Sequence, residues 1–215
     1  MKNIILAGDS VFDNASHVGS QLDVASHLRK IVLPDWTVSL IAIDGSTTED
    51  VSKQMQISPN SNAHLILSIG GNDAMLQVKL LDFPVQSTAE ALRLFCQMTA
   101  DFEIQYGHAI DACERLRIPI TICTIYHANF SDSDFQKRAV TALTLFNDAI
   151  LRTAKSRRLN VIDLRDVCNS PRDFTKQIEP SAEGGRKIAE AIALAVHGRR
   201  PTENFRILNI NQLTA

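Results

Sequence analysis

Short apolar runs alternate with longer segments whose apolar residues recur at helical spacing. The runs are rich in Ile, Leu or Val and are bounded by polar or turn residues, as buried strands are. They lie at 3–7, 38–43, 63–69, 118–125 and 160–164. Apolar stripes predict helices around 22–32, 92–116, 135–153 and 188–196. A capping box is predicted at 46–49, and Pro180-Ser181 precedes the last helix where an N-cap is expected.

This alternation predicts an α/β fold built on a five-stranded parallel sheet. Parallel strands need crossover connections, so helices are expected to cover both faces of the sheet. No repeat, low-complexity tract or linker interrupts the pattern, which predicts one domain over residues 1–197 and a tail over 198–215. The tail is too apolar for a solvated segment, so we expect it to dock on the domain or on a second copy in a homo-oligomer. Its apolar residues are Phe205, Ile207, Leu208, Ile210 and Leu213.

Composition narrows the range of partners. The chain has 215 residues, with 22 basic and 24 acidic side chains and a net charge of −2. A nucleic-acid binder of the common kind would carry a basic excess, so no nucleic-acid partner is predicted. No segment approaches the roughly 18–20 apolar residues that span a bilayer, and the apolar start is broken by Asp9, too early for a signal peptide.

The cysteines indicate a reducing compartment. They form no CxxC pair and have no histidine at metal-ligand spacing, so buried free thiols are expected. They are Cys96, Cys113, Cys123 and Cys168. A cytoplasmic location, with no membrane partner, is the resulting prediction.

Polar and glycine residues collect at the ends of the predicted strands. Ligands of an open parallel sheet bind at the carboxyl ends of its strands, so these residues are expected to converge. Ser10 follows the first strand as an exposed nucleophile would, Gly45 offers a backbone N–H after the second, and Asn72 offers a side-chain amide after the third. Two such donors facing a hydroxyl make an oxyanion hole. Neither a Walker loop nor a G-x-G-x-x-G fingerprint is present.

Three segments together resemble the first three blocks of the SGNH hydrolases, also called GDSL esterases. They are Gly8-Asp9-Ser10, Gly45 and Gly70-Gly71-Asn72-Asp73. The resemblance implies a three-layer α/β/α, flavodoxin-like, doubly wound fold. It also implies Ser10 as nucleophile and an oxyanion hole made by the Ser10 N–H, the Gly45 N–H and the Asn72 side chain.

The same resemblance implies hydrolysis of a small-molecule carboxylic or acetyl ester with neither metal nor cofactor. Asp9 and Asp73 would support the turns by accepting backbone N–H bonds. Asp9, Asp44 and Asp73 could instead bind Mg²⁺, but their spacing is not diagnostic of it.

The family's last block, Asp-x-x-His, is replaced. Lys176 stands where the Asp should be and Glu179 where the His should be. A serine nucleophile needs a base, and a carboxylate is about two pKa units weaker than a histidine, a gap that burial narrows. Glu179 is expected near Ser10, because the helix after Pro180 matches the family helix that presents the catalytic histidine.

Other groups could replace the missing base. His127 follows the fourth strand at the same sheet edge and is the first alternative, with His17 ranked below it. Asp173 is a weaker alternative, as an acidic partner in a shifted arrangement.

Two functions from different classes follow. The first is a serine esterase acting through Ser10 with an atypical or impaired base. The alternative is a non-catalytic ligand-binding or regulatory protein on the same fold. A third class, a metal- or phosphate-binding module, predicts an activity that chelators abolish.

Overall fold

The computed structural model describes residues 2–197 and 207–208. Its strands are β1 (Lys2–Gly8), β2 (Trp36–Leu40), β3 (Ala63–Ser68), β4 (Ile120–Cys123), β5 (Asn160–Ile162), β6 (Phe174–Thr175), β7 (Glu179–Pro180) and β8 (Ile207–Leu208). Its helices are α1 (Ala15–Val18), α2 (Val24–Val32), α3 (Val51–Gln54), α4 (Gly71–Leu76), α5 (Thr88–Glu114), α6 (Ser133–Arg157), α7 (Leu164–Val167) and α8 (Ala182–His197). Short 3₁₀ helices lie at Thr48–Asp50, Val78–Asp82 and Pro171–Asp173.

The main sheet is parallel throughout, in the order β2-β1-β3-β4-β5-β8. All five predicted strands are present, which confirms the α/β fold class. Strand β2 lies earlier than the predicted 38–43. The chain leaves the regular ladder after Leu40, because the N–H groups of Ile41 and Ala42 both donate to the carbonyl of Leu6.

The sheet separates two apolar cores, giving three layers. Alternate residues of β1 serve them: Ile5 points into the core under α3, α5 and α6, whereas Ile4 points into the core under α2, α7 and α8. Phe102 and Phe146 of the first core pack edge to face, with ring centroids 4.8 Å apart. The helix faces that cover the sheet are the apolar stripes predicted from the sequence. The polar residues lie at the edge of the sheet, where a site can form.

One of the two predicted caps is correct and the other is displaced by one residue. The hydroxyl of Ser181 accepts the N–H of Gly184 at the start of α8, as predicted. The capping box at 46–49 is wrong: the box is formed by Thr47 and Asp50. The 3₁₀ helix begins at Thr48, so Thr47 is the N-cap residue, and the Ser46 hydroxyl, one position earlier, accepts a hydrogen bond from the Gln54 side chain.

The tail extends the sheet. Ile207 pairs with Val161 and Leu208 with Ile162, so β8 forms a sixth parallel strand beside β5. The other tail residues predicted to dock, Phe205, Ile210 and Leu213, lie outside the described residues. The division into 1–197 and 198–215 and the homo-oligomer stay predictions.

Cys113, Cys123 and Cys168 are buried free thiols, as predicted, whereas Cys96 is exposed. The prediction for Cys96 is wrong because it lies on the solvent face of α5. Among the residues described, no helix combines the length and apolarity that a membrane crossing requires.

His64 should make stability depend on pH. It begins β3, where its Nε2 lies 2.9 Å from the Thr121 hydroxyl, and burial lowers its pKa from 6.5 to about 4. The unfolded chain therefore takes up this proton at higher pH than the folded one, and stability is lost as pH falls from about 6.5 to 4.

Between pH 7 and pH 4.5, we expect the free energy of unfolding to fall by on the order of 2 kcal/mol less in His64→Gln than in the wild type. Urea unfolding at the two pH values measures the difference. His108→Gln, at an exposed helix position, is the control and should keep the wild-type pH dependence. An unchanged pH dependence in His64→Gln would contradict the assignment.

Candidate active site

The turn after β1 places Ser10 at the carboxyl end of the sheet. Gly8 has a φ of +123°, and a Cβ there would collide with the carbonyl oxygen of Ser68 on β3. Only glycine therefore lets β1 run so close to β3 before the chain turns. The Asp9 carboxylate accepts the N–H of Val11 at 3.1 Å, which closes the turn around Ser10.

Asp9 is buried, only 3% exposed. Burial raises its pKa to about 7, and the nearby Glu179 and Asp73 carboxylates act in the same direction. The N–H of Val11 opposes the rise without cancelling it. Burial and the neighbouring carboxylates thus both favour the protonated form of Asp9.

Three donors lie at the ends of β1, β2 and β3. Within the described part of the chain, the N–H groups of Ser10 and Gly45 donate to no protein acceptor. The Asn72 amide donates one N–H to the Ser46 carbonyl at 2.8 Å, which leaves its second N–H available. Gly45 has a φ of +81°, a conformation that a side chain would strain.

Asp73 ties the third turn to the second. Its carboxylate accepts the Thr48 hydroxyl at 2.6 Å and the Thr48 N–H at 3.1 Å. Asp9 therefore accepts a backbone N–H of the turn that carries Ser10, whereas Asp73 accepts one from the segment after β2.

An apolar pocket of about 120 Å³ lies beside Ser10. Ser10, Asn72 and Glu179 are among its polar lining groups, and aliphatic and aromatic side chains make most of the remaining wall. Helices α5 and α6 supply part of that wall through Phe95, Met98, Leu143 and Phe146. The pocket can hold an apolar group with one polar end at Ser10.

Glu179 reaches this pocket from a hairpin of β6 and β7. Lys176 and Gln177, with φ values of +49° and +71°, form the turn that brings β7 back beside β6. Glu179 is 8% exposed, and its Oε2 is buried with no hydrogen-bond partner. Glu179 and Ser10 line one pocket, although no hydrogen bond joins them in the described structure.

His17 is the histidine that the fold brings to Glu179. Its Nε2 lies 3.0 Å from Asp44 Oδ2 and 3.9 Å from Glu179 Oε2. The Lys176 ammonium lies 3.3 Å from its Nδ1. The sequence analysis ranked His17 below His127. The available signal was its position seven residues after Ser10, which the structure places in the short helix α1.

The alternative base His127 and the alternative acidic partner Asp173 lie elsewhere. His127 is absent from the pocket lining, and its pKa is lowered by burial and by the charge of Arg165, with Asp163 opposing. Asp173 is fully buried in an ion pair with Lys187, 2.7 Å between Oδ1 and Nζ. Its carboxylate is therefore already committed to α8.

The chain matches a family of known proteins. Residues 6–187 match the model of the GDSL-like Lipase/Acylhydrolase family, so the chain belongs to that family. The protein is thus a member of the SGNH hydrolases that the motifs resemble. No curated protein is significantly similar in sequence.

Solved structures share the fold at low identity. Phospholipase A1 from Streptomyces albidoflavus NA297 has a TM-score of 0.66 and 16% identity, over 89% of this chain and 98% of that chain. A lipolytic protein of the G-D-S-L family from Veillonella parvula DSM 2008 has a TM-score of 0.68 and 15% identity, over 93% and 100%. A variant of an acetyl xylan esterase from Geobacillus stearothermophilus has a TM-score of 0.61 and 13% identity, over 93% and 96%.

Proposed function

We propose that the protein hydrolyses small carboxylic esters through Ser10, with Glu179 as the general base. The observation that carries the proposal is the convergence at one pocket of Ser10, the spare Asn72 N–H and the buried, unpartnered Glu179 oxygen. A nucleophile, an oxyanion donor and a proton acceptor are the parts that acyl transfer needs.

In this mechanism the Ser10 oxygen attacks the ester carbonyl carbon while its proton passes to the Glu179 carboxylate. The oxygen of the former carbonyl takes the negative charge and accepts hydrogen bonds from Asn72 and from the N–H groups of Ser10 and Gly45. Collapse of the tetrahedral intermediate breaks the bond to the alcohol, which leaves with the proton from Glu179. Water then hydrolyses the acyl-serine by the same steps.

Glu179 is preferred over His127 because it shares the Ser10 pocket. The lack of a hydrogen bond to Ser10 does not exclude it, since catalytic hydrogen bonds often tighten only when substrate binds. The weak basicity of a carboxylate predicts slower turnover than a histidine-dependent relative would reach.

The pocket favours an apolar acyl group over acetyl. Each buried methylene contributes about 0.8 kcal/mol, so a short hydrocarbon chain packed against Phe95, Met98 and Phe146 should bind better. The family neighbours include a phospholipase and an acetyl xylan esterase by name, and both names describe ester cleavage.

Hydrolysis of p-nitrophenyl acetate, butyrate and hexanoate tests this function. We expect kcat/KM to rise from acetate to butyrate, and an organophosphonate to label Ser10, located by peptide mass analysis. Binding of esters with neither turnover nor labelling would favour the non-catalytic alternative.

Asn72→Ala tests the oxyanion hole. Loss of one such donor costs about 10²–10³ in kcat, so we expect a decrease of that size with KM little changed. Asn129→Ala, which changes an amide on the loop after β4 outside the pocket lining, is the matched control. Unchanged kcat in Asn72→Ala would remove this residue from the mechanism.

Glu179→Gln tests the base. Glutamine keeps the shape but cannot take the proton, so we expect kcat to fall by about 10² or more. His127→Asn should leave kcat near the wild-type value. The reverse result would transfer the role of base to His127.

A further inference from the structure

A second arrangement of ligating atoms lies on the solvent side of Glu179. Nε2 of His17 and carboxylate oxygens of Asp44 and Glu179 all lie within 4.8 Å of one another. We propose that these three side chains bind a divalent transition-metal ion of the Zn²⁺ class. This inference goes beyond ester hydrolysis, because the Ser10 mechanism uses no metal.

The buried oxygen of Glu179 is the independent observation. Its Oε2 is shielded from water, has no hydrogen-bond partner in the described structure and lies 3.9 Å from the His17 ring nitrogen. An unpartnered buried carboxylate oxygen is costly. A cation between it and the histidine would supply the missing partner.

The spacing of the atoms suits a small ion. Ligands about 2.0–2.2 Å from a Zn²⁺ ion in tetrahedral geometry lie roughly 3.3–3.6 Å from one another. The His17 nitrogen is 3.0 Å from the Asp44 oxygen and 3.9 Å from the Glu179 oxygen, on either side of that range. Small side-chain rotations would place all three on one ion, with a further position open to water.

The donor types select the class of ion. Imidazole nitrogen suits Zn²⁺, Fe²⁺, Co²⁺ and Ni²⁺, whereas Mg²⁺ and Ca²⁺ prefer all-oxygen sites. One histidine and two carboxylates therefore favour a transition metal over the Mg²⁺ that Asp9, Asp44 and Asp73 would have indicated. Asp9 and Asp73 are engaged with Val11 and Thr48 instead.

The positive charge of Lys176 opposes cation binding at His17. Its ammonium lies 3.3 Å from His17 Nδ1, and both contacts of the ring fit the tautomer that carries its proton on Nε2, facing Asp44. Metal binding moves that proton to Nδ1 and places Lys176 beside a positive site. Because Lys176 is exposed, it can turn into solvent, and removing its charge should strengthen binding.

Glu179 belongs to both sites, which gives a consequence that rests on the proposed function. A carboxylate oxygen bound to the ion is a poorer proton acceptor, so metal binding should inhibit ester hydrolysis. Asp44 and His17 belong to the metal site alone. Variants at these two residues therefore test metal binding without changing a group used in ester hydrolysis.

Titration of the untagged protein with Co²⁺, followed by visible absorption, tests the site. Cys96→Ser serves as the background because Cys96 is the exposed thiol of the described structure. We expect one Co²⁺ per chain, displaced by Zn²⁺ and not by Mg²⁺. Asp44→Asn and His17→Gln should weaken binding about 100-fold or more, since loss of even an outer-shell partner costs about 10–100-fold.

The controls define the contrary outcomes. His127→Asn, a loop histidine of the same sheet edge, should bind Co²⁺ as the background does, and Lys176→Gln should bind it more tightly. Absence of stoichiometric binding, or equal binding in Asp44→Asn and the background, would overturn the site. We also expect Asp44→Asn to hydrolyse esters as the background does. Zn²⁺ should inhibit the background and should not inhibit Asp44→Asn.

Discussion

Ser10→Ala is expected to lower kcat for ester hydrolysis by at least about 10³-fold. The hydroxyl is the atom that forms the acyl intermediate, and removing the nucleophile of a serine hydrolase leaves only what substrate binding and the oxyanion donors contribute. Steady-state hydrolysis of p-nitrophenyl butyrate measures the loss, and organophosphonate labelling should disappear in the same variant.

Ser52→Ala is the matched control, because Ser52 is exposed on α3 and distant in sequence from every strand end. It should hydrolyse and label like the wild type. Full activity in Ser10→Ala would mean that water or another side chain attacks the ester directly. The thermal midpoint of Ser10→Ala should stay near the wild-type value. Loss of activity could then not be attributed to unfolding.

Gly8→Ala is expected to destabilise the protein by about 3–5 kcal/mol. The new Cβ would overlap the Ser68 carbonyl oxygen, and φ of +123° is unfavourable for alanine, so overpacking and backbone strain add. Because β1 lies between β2 and β3, a shift here disturbs three strands. Thermal unfolding should show a midpoint lower by about 10 °C for a domain of this size.

Gly107→Ala is the same substitution at a second site, and there we expect the free energy of unfolding to increase. Gly107 lies inside α5, and a Cβ there meets no atom within 4 Å. Alanine has the higher helix propensity, so this variant should gain about 0.5–1 kcal/mol. Equal effects at Gly8 and Gly107 would show that the close approach of β1 to β3 is relaxed in solution.

The sequence predicted the fold because apolar spacing is local. A few residues suffice to find the apolar stripes of α5 and α6 and the alternation of Ile4 and Ile5 in β1. In the structure these residues pack into the two apolar cores. The displaced capping box shows the limit. The sequence pattern allows either Ser46 or Thr47 as N-cap, and the choice is set by where the helix begins in the folded chain, at Thr48.

The site was predictable where a motif names it. The turns holding Ser10, Gly45 and Asn72 could be placed from strand ends alone. The neighbours of His17 were not predictable, because they come from distant parts of the chain: Asp44 follows β2, and Lys176 and Glu179 belong to the β6–β7 hairpin. Sheet-edge position alone favoured His127, which does not line the Ser10 pocket.

Strand β8 shields an edge that would otherwise template association. It supplies hydrogen-bond partners for the outer side of β5, opposite Val161 and Ile162. An unpaired parallel edge is open to addition of a strand from another molecule, and aggregation follows from such additions. The two-residue strand therefore decides whether the outer edge of β5 at Val161 and Ile162 is open to a strand from another molecule.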